Sequence, residues 1–195
     1  MYKNAEDVWC SLTAILTKIR GGQYEEGLHD LEKLASDGRP EIYALVGRVI
    51  EEEDPSPDRL NKAKKVYRRG IRKGDREDCA VQLARLYLNK EAGDLAKKRA
   101  IIYFCMAERS GYWKGAFGLG LVYGVRGESK EEMSRGIGYF YSSLKRGNLI
   151  SLSLMGTVLQ RRGYYVTGAL FRMFGLMACL PFLVFASNSR FVKTL

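Results

Sequence analysis

From Ala5 to Arg20 the apolar residues Val8, Trp9, Leu12, Ile15, Leu16 and Ile19 recur at helical spacing. That period predicts an amphipathic helix with one apolar stripe. Lys18 and Arg20 suit its carboxyl end, and Gly21-Gly22 stops it. The helical period then returns in register. Segments opening at Tyr43 (YALVGRVI), Ala80 (AVQLARLY), Ala116 (AFGLGLVY) and Leu152 (LSLMGTVL) start 37, 36 and 36 residues apart. In each, the fourth residue is apolar (Val46, Leu83, Leu119, Met155) and the fifth is small (Gly47, Ala84, Gly120, Gly156). The eighth is large and apolar (Ile50, Tyr87, Tyr123, Leu159).

Twenty residues after each of the first three starts comes a second recurring segment, opening at Ala63, Ala100 and Gly136. Each carries an aromatic residue four positions on (Tyr67, Phe104, Phe140), then a small one (Gly70, Ala107, Ser143), then a closing glycine (Gly74, Gly111, Gly147). Gly27, Leu31, Leu34 and Gly38 follow the same offsets upstream. Small residues let a neighbouring helix approach closely, and the glycine supplies a left-handed cap that ends the second helix. The unit is therefore a helix–turn–helix repeat whose apolar face is covered by the next unit. Asp54–Pro57 and Glu91–Asp94 serve as loops between paired helices.

The pattern A-x-x-L-G-x-x-Y, followed by A-x-x-x-Y/F-x-x-A-x-x-x-G with a period near 36, resembles the Sel-one-like repeat family, a branch of the tetratricopeptide-like solenoids. The match runs from about Gly27 to Asn148, with a degenerate unit beyond; Tyr43 and Leu152 replace the usual alanine. The resemblance implies an all-α, right-handed α-solenoid of about four helix-turn-helix repeats, with an N-terminal helix and an apolar C-terminal helix. It also implies adaptor work without catalysis. Family members scaffold complexes, often membrane-associated ones, in bacterial envelope, exopolysaccharide and signalling systems. Secreted members carry paired cysteines within each repeat, an arrangement this chain lacks.

The last unit departs from the rule that a terminal repeat turns a polar face outward. Tyr164 to Ala186 holds a single charge, Arg172. We therefore divide the chain into a repeat solenoid with its capping helix, 1–163, and an apolar docking segment, 164–195. The segment either caps the array or a homodimer, or it inserts into a membrane or docks on a membrane protein. Arg172 interrupts it and Pro181 is expected to kink or end the helix, so a shallow or partner-supported insertion fits better than a full span. Phe174, Leu176, Phe182, Leu183 and Phe185 are the anchors, with Arg172 at a water-facing edge or paired with a partner's acid.

Composition sharpens this picture. The chain of 195 residues is 46% hydrophobic and 28% charged, a globular balance, with a net charge of +10. The charge is uneven: 133–195 carries eight basic residues and no acid, leaving 24 basic against 22 acidic residues before it. This excludes a uniformly basic nucleic-acid binder. Arg161 and Arg162 before the segment, and Arg190 and Lys193 after it, suit an anionic cytoplasmic leaflet. A second basic feature is local: Lys62, Lys65, Arg69, Arg72 and Arg76 follow helical spacing. They form either a stripe for phosphates of lipid or nucleic acid, or a solvated face balanced by Glu51, Glu52, Glu53 and Asp54.

Candidate chemistry is sparse. No signal-peptide pattern is visible in Met1 to Arg20, and Cys10, Cys79, Cys105 and Cys179 form no CxxC pair, so they are expected to be thiols in a reducing compartment. His29 is the one histidine, which excludes a histidine-cluster metal site. Gly118 and Gly120 lie within a repeat helix with no preceding strand, so they read as helix packing and not a nucleotide loop. Among Tyr87, Tyr103, Tyr112, Trp113, Tyr123, Tyr139 and Tyr141, those matching the repeat signature are expected in the core and the others on a concave face. No catalytic, cofactor-binding or metal-ligating set emerges. The expectation is a non-enzymatic accessory subunit without cofactor, at the cytoplasmic face of a membrane. Its partner is an integral membrane protein, contacted with the membrane through 164–186. Nucleic acid is disfavoured and a homo-oligomer stays open. The alternative is a peripheral phosphate-binding protein that uses the basic stripe.

Overall fold

The computed structural model describes residues 5–53, 56–91 and 93–188, with side chains over 7–53, 56–91 and 93–178. Among these the protein is all-α. The helices are α1 (Ala5–Arg20), α2 (Tyr24–Ser36), α3 (Tyr43–Glu53), α4 (Pro57–Lys73), α5 (Arg76–Lys90), α6 (Asp94–Arg109), α7 (Trp113–Gly120), α8 (Lys130–Lys145), α9 (Ile150–Arg161) and α10 (Tyr165–Asn188). A 3-10 turn, Pro40–Ile42, leads into α3, and α7 continues as a π turn over Leu121–Val125. The chain divides into two compact units, Met1–Lys90 and Glu91–Leu195.

In the first unit α1 packs on α2, α2 on α3, α3 on α4, and α5 on both α3 and α4. Its core is Leu28, Leu31 and Leu34 of α2, Val46 and Ile50 of α3, Tyr67 of α4, and Leu83 and Leu86 of α5, all buried. The small fifth position works as the repeat pattern requires. A Cβ on Gly47 would lie 2.2 Å from Cε1 of Tyr67, so only glycine admits that ring. The Tyr67 hydroxyl donates to Glu51, which also accepts from Arg85 at 2.8 Å. Burial, reinforced by Glu51, pushes the Tyr67 phenol well above its ordinary pKa. Trp9 departs from the predicted stripe: it is 68% exposed, while Ile15 is buried. One helix, α2, covers one narrow side of α1, and Trp9 lies beyond that side.

In the second unit successive helices from α6 to α10 pack on one another. Phe140 of α8 is fully buried against Met133, Met155 and Val158, with Phe117 edge-on at 5.9 Å. Gly120 repeats the role of Gly47, since a Cβ there would lie 2.5 Å from Cδ1 of Phe140. Ser129 caps α8 by accepting from the Glu132 N–H at 3.0 Å, and Glu132 reaches back to the Glu128 N–H at 2.9 Å.

The closing glycines Gly38, Gly74, Gly111 and Gly147 have φ between 85° and 121°, the left-handed region that ends each second helix. At two of these turns the side chain after the glycine ties the turn back to its own repeat. Asp75, buried, accepts from the Ala44 N–H at 3.2 Å and the Cys79 thiol at 3.0 Å. Asn148 donates to Ser143 at 3.1 Å, and Ser143 donates to the Trp113 carbonyl at 3.2 Å. Pro181 does not end α10, whose helical backbone runs through it to Asn188. A proline inside a helix removes one ladder hydrogen bond and leaves those on either side.

Candidate functional site

The fourth pair, α9 and α10, joins along a seam of small residues. A Cβ on Gly156 would lie 2.5 Å from the Gly168 carbonyl, one on Gly168 would lie 2.6 Å from the Gly156 carbonyl, and one on Gly175 would lie 2.5 Å from the Ser153 nitrogen. The two backbones therefore touch, and the seam occupies only a narrow strip of α10 formed by Gly168, Phe171 and Gly175. In the first and third repeats the fifth position of the first helix, Gly47 or Gly120, receives an aromatic twenty residues later, Tyr67 or Phe140. Here Gly156 meets Gly168 and Arg172 instead, nearer the start of its partner helix.

The opposite side of α10 is uncovered. Tyr165, Val166, Leu170, Met173, Phe174, Leu176 and Met177 are exposed, Phe174 at 57% and Leu176 at 59%. Arg172 does not interrupt this face. Its stem lies against Gly156 and its Nη1 donates to Oε1 of Gln160 at 3.0 Å, so α9 draws it to the seam side. The predicted anchors Phe182, Leu183 and Phe185 lie outside the residues whose side chains are described. Among the described residues no helix is long and apolar enough to cross a membrane.

The basic stripe is shorter than its spacing predicts. Lys62, Lys65, Arg69 and Arg72 share α4, but the helix ends at the Gly74 cap and Arg76 opens α5. The left-handed glycine turn breaks the helical register between the fourth and fifth cations. Of the acidic run, Glu51 binds Tyr67 and Arg85, Glu53 pairs with Arg59 at 3.2 Å, and Asp54 lies outside the described residues. None of the five cations pairs with an acid among the described residues; Arg69 lies over the Tyr43 ring at 5.8 Å. No large apolar side chain of α4 is exposed, so the row offers charge without insertion into lipid.

A third feature lies in the second unit, at a position where the repeat pattern predicts core. Glu108 of α6, Tyr123 of the π turn, and Arg135, Gly138, Tyr139 and Ser142 of α8 line an open groove of about 500 Å³. The rings of Tyr123 and Tyr139 stack at 5.8 Å and 17°. Tyr123 is half-buried instead of in the core, because the π turn redirects it. The glycines Gly124, Gly127 and Gly136 around that turn are the signal the sequence offers.

The cysteines with described side chains are free thiols. Cys79 is buried, and burial with the Asp75 carboxylate nearby raises its thiol pKa far from reactivity. Among the described residues no group of three or more metal-ligating side chains gathers.

No family model matches the chain, and no curated protein does. Solved structures are similar. One crystal structure of MamA aligns with a TM-score of 0.62 at 15% identity, covering 91% of this chain and 95% of that one. A second, of MamA protein, aligns at 0.61 and 15%, covering 87% and 92%. A Sel1 repeat protein from Oxalobacter formigenes aligns at 0.61 and 17%, covering 86% and 72%. At these identities the likeness establishes the fold: the chain has the Sel1-like, tetratricopeptide-like helical-repeat architecture.

Proposed function

We propose that this protein is a non-catalytic adaptor, held by the outward face of α10 on an integral membrane protein at the cytoplasmic face of a membrane, with its repeats presenting surface to a further protein. The uncovered apolar face of α10 carries this reading. Leu170, Met173, Phe174, Leu176 and Met177 are each about half exposed. At roughly 1.5–3 kcal/mol for each fully buried side chain, covering the five releases on the order of 4–8 kcal/mol. That is a strong contribution beside the cost of association. The seam side of α10, with Arg172 drawn onto Gln160, supports attachment along one face and not insertion of the whole helix.

The test is membrane flotation of the full chain against a chain ending at residue 163 and a triple variant Leu170→Gln, Phe174→Gln, Met177→Gln. The full chain is expected to float at high salt and both variants to stay at the bottom. Flotation of the triple variant, or release of the wild type by salt alone, contradicts the reading. The unpaired row Lys62, Lys65, Arg69 and Arg72 favours a second reading, a peripheral phosphate-binding protein. It takes over if Arg69→Glu with Arg72→Glu abolishes association that α10 substitutions leave intact.

A further inference from the structure

Tyr87 and Tyr123 hold the same position in successive repeats, yet they face different surroundings. Tyr87, on the regular helix α5, is 2% exposed, with its hydroxyl 2.6 Å from the Arg68 guanidinium. Tyr123 falls in the π turn that continues α7. A π turn adds a residue to the helical turn and rotates the downstream residues out of the preceding register. The ring leaves the core, stacks on Tyr139 of α8, and its hydroxyl takes no hydrogen-bond partner among the described residues.

The turn is fixed by its surroundings. The Arg161 guanidinium donates to the carbonyls of Gly124, Val125 and Gly127. Gly136 of α8 lies so close that a Cβ there would be 2.1 Å from the Gly124 nitrogen. Single π turns inside α-helices are frequent at functional sites. Here the turn aims Tyr123 into the groove.

The groove is rich in donors. Arg135 makes no ion pair, and the hydroxyls of Tyr139 and Ser142 make no hydrogen bond among the described residues. Burial raises the Tyr139 phenol pKa further above neutrality, and its protonated hydroxyl is a donor. The one acid, Glu108, is answered by Arg146 at 3.1 Å. A single uncompensated cation remains, Arg135, beside the stacked pair Tyr123–Tyr139. One cation matches one carboxylate, whereas a nucleic-acid strand presents a row of phosphates and selects a row of cations. Gly138 leaves the middle of the groove open, with nothing within 4 Å of where its Cβ would lie.

We propose that this groove binds an extended peptide segment, one acidic side chain pairing with Arg135 and a neighbouring apolar or aromatic side chain packing on Tyr123 and Tyr139. The assignment rests on the adaptor reading, of which it names the second surface, but not on the docking of α10.

The test selects a random dodecapeptide library on the full-length chain in mild detergent and measures the enriched peptides by fluorescence anisotropy. Enriched peptides are expected to carry an Asp or Glu within a few residues of an aromatic. Arg135→Gln should weaken binding at least tenfold. Replacing the peptide's acid by its amide should do the same, without further loss on Arg135→Gln, because the two changes remove one interaction. Arg135→Lys should restore part of the affinity. Gly138→Leu fills the groove from an open position, so it should abolish binding with the melting temperature unchanged or raised. Enriched peptides without acids, affinity indifferent to Arg135→Gln and Gly138→Leu, or no enrichment at all would overturn the assignment. So would Arg135-dependent binding of polyuridylate RNA in place of peptide. If peptides fail while the Gly138→Leu chain still floats with membranes, the groove assignment falls and the adaptor reading stands.

Discussion

Two glycines of the second unit make a matched experiment on the repeat register. A Cβ on Gly120 would lie 2.5 and 2.6 Å from Cδ1 and Cε1 of Phe140, a ring with no exposure and no room to withdraw. A Cβ on Gly138 would meet nothing within 4 Å. Both positions are helical, so alanine gains about 0.5–1 kcal/mol of helix stability at each. At Gly120 the overpacking of a filled core costs about 1–3 kcal/mol against that gain. Gly138→Ala should therefore stabilise by about 0.5–1 kcal/mol and Gly120→Ala should destabilise by roughly 1–2 kcal/mol. The propensity term cancels in their difference, which measures packing alone. Urea unfolding of the full chain in mild detergent, followed by far-ultraviolet circular dichroism, reads both variants from midpoints at constant slope. Gly120→Leu should lie lower still. Equal stabilities for Gly120→Ala and Gly138→Ala would refute the pairing of the fifth position with the aromatic of the following helix.

Burial holds the Asp75 carboxyl above its ordinary pKa, so the folded chain binds its proton where the unfolded chain has lost it. That contribution is present below about pH 4 and is lost as pH rises through the raised value. Asp75→Asn keeps an acceptor for the Ala44 N–H, and should therefore melt at or above wild type near neutrality with this pH dependence removed; a large loss of stability there would contradict it. Arg161→Met keeps the stem but frees three carbonyls at the π turn, and should cost about 1–2 kcal/mol in urea unfolding. Arg69→Glu with Arg72→Glu should leave flotation through α10 unchanged at physiological salt.

The repeat was legible because its determinants are local and spaced. Gly47 with Tyr67, and Gly120 with Phe140, recur at one offset, and each closing glycine marks the end of its helix. The same rule could have shortened the basic stripe, since Gly74 stands between Arg72 and Arg76. The π turn was not legible from periodicity. It depends on Arg161, 36 residues beyond Val125, and on backbone contact between Gly124 and Gly136. Tyr123 consequently read as core. On α10 the apolar stretch was plain, but which face stays open depends on Gly156, Gly168 and Gly175 meeting across two helices, and spacing alone does not report that contact. Trp9 read as part of a buried stripe because a helical wheel does not show how narrow a side α2 covers.

The central claim, that the open face of α10 is a docking surface, is tested most directly by placing a photoreactive phenylalanine analogue at position 174 or at position 171. Phe174 is exposed, whereas Phe171 packs on the cluster of Phe140, Met155 and Val158. In membranes, the account predicts that position 174 crosslinks to a membrane protein and that position 171 crosslinks only within the chain. Equal external crosslinking from both positions, or none from position 174, would contradict it.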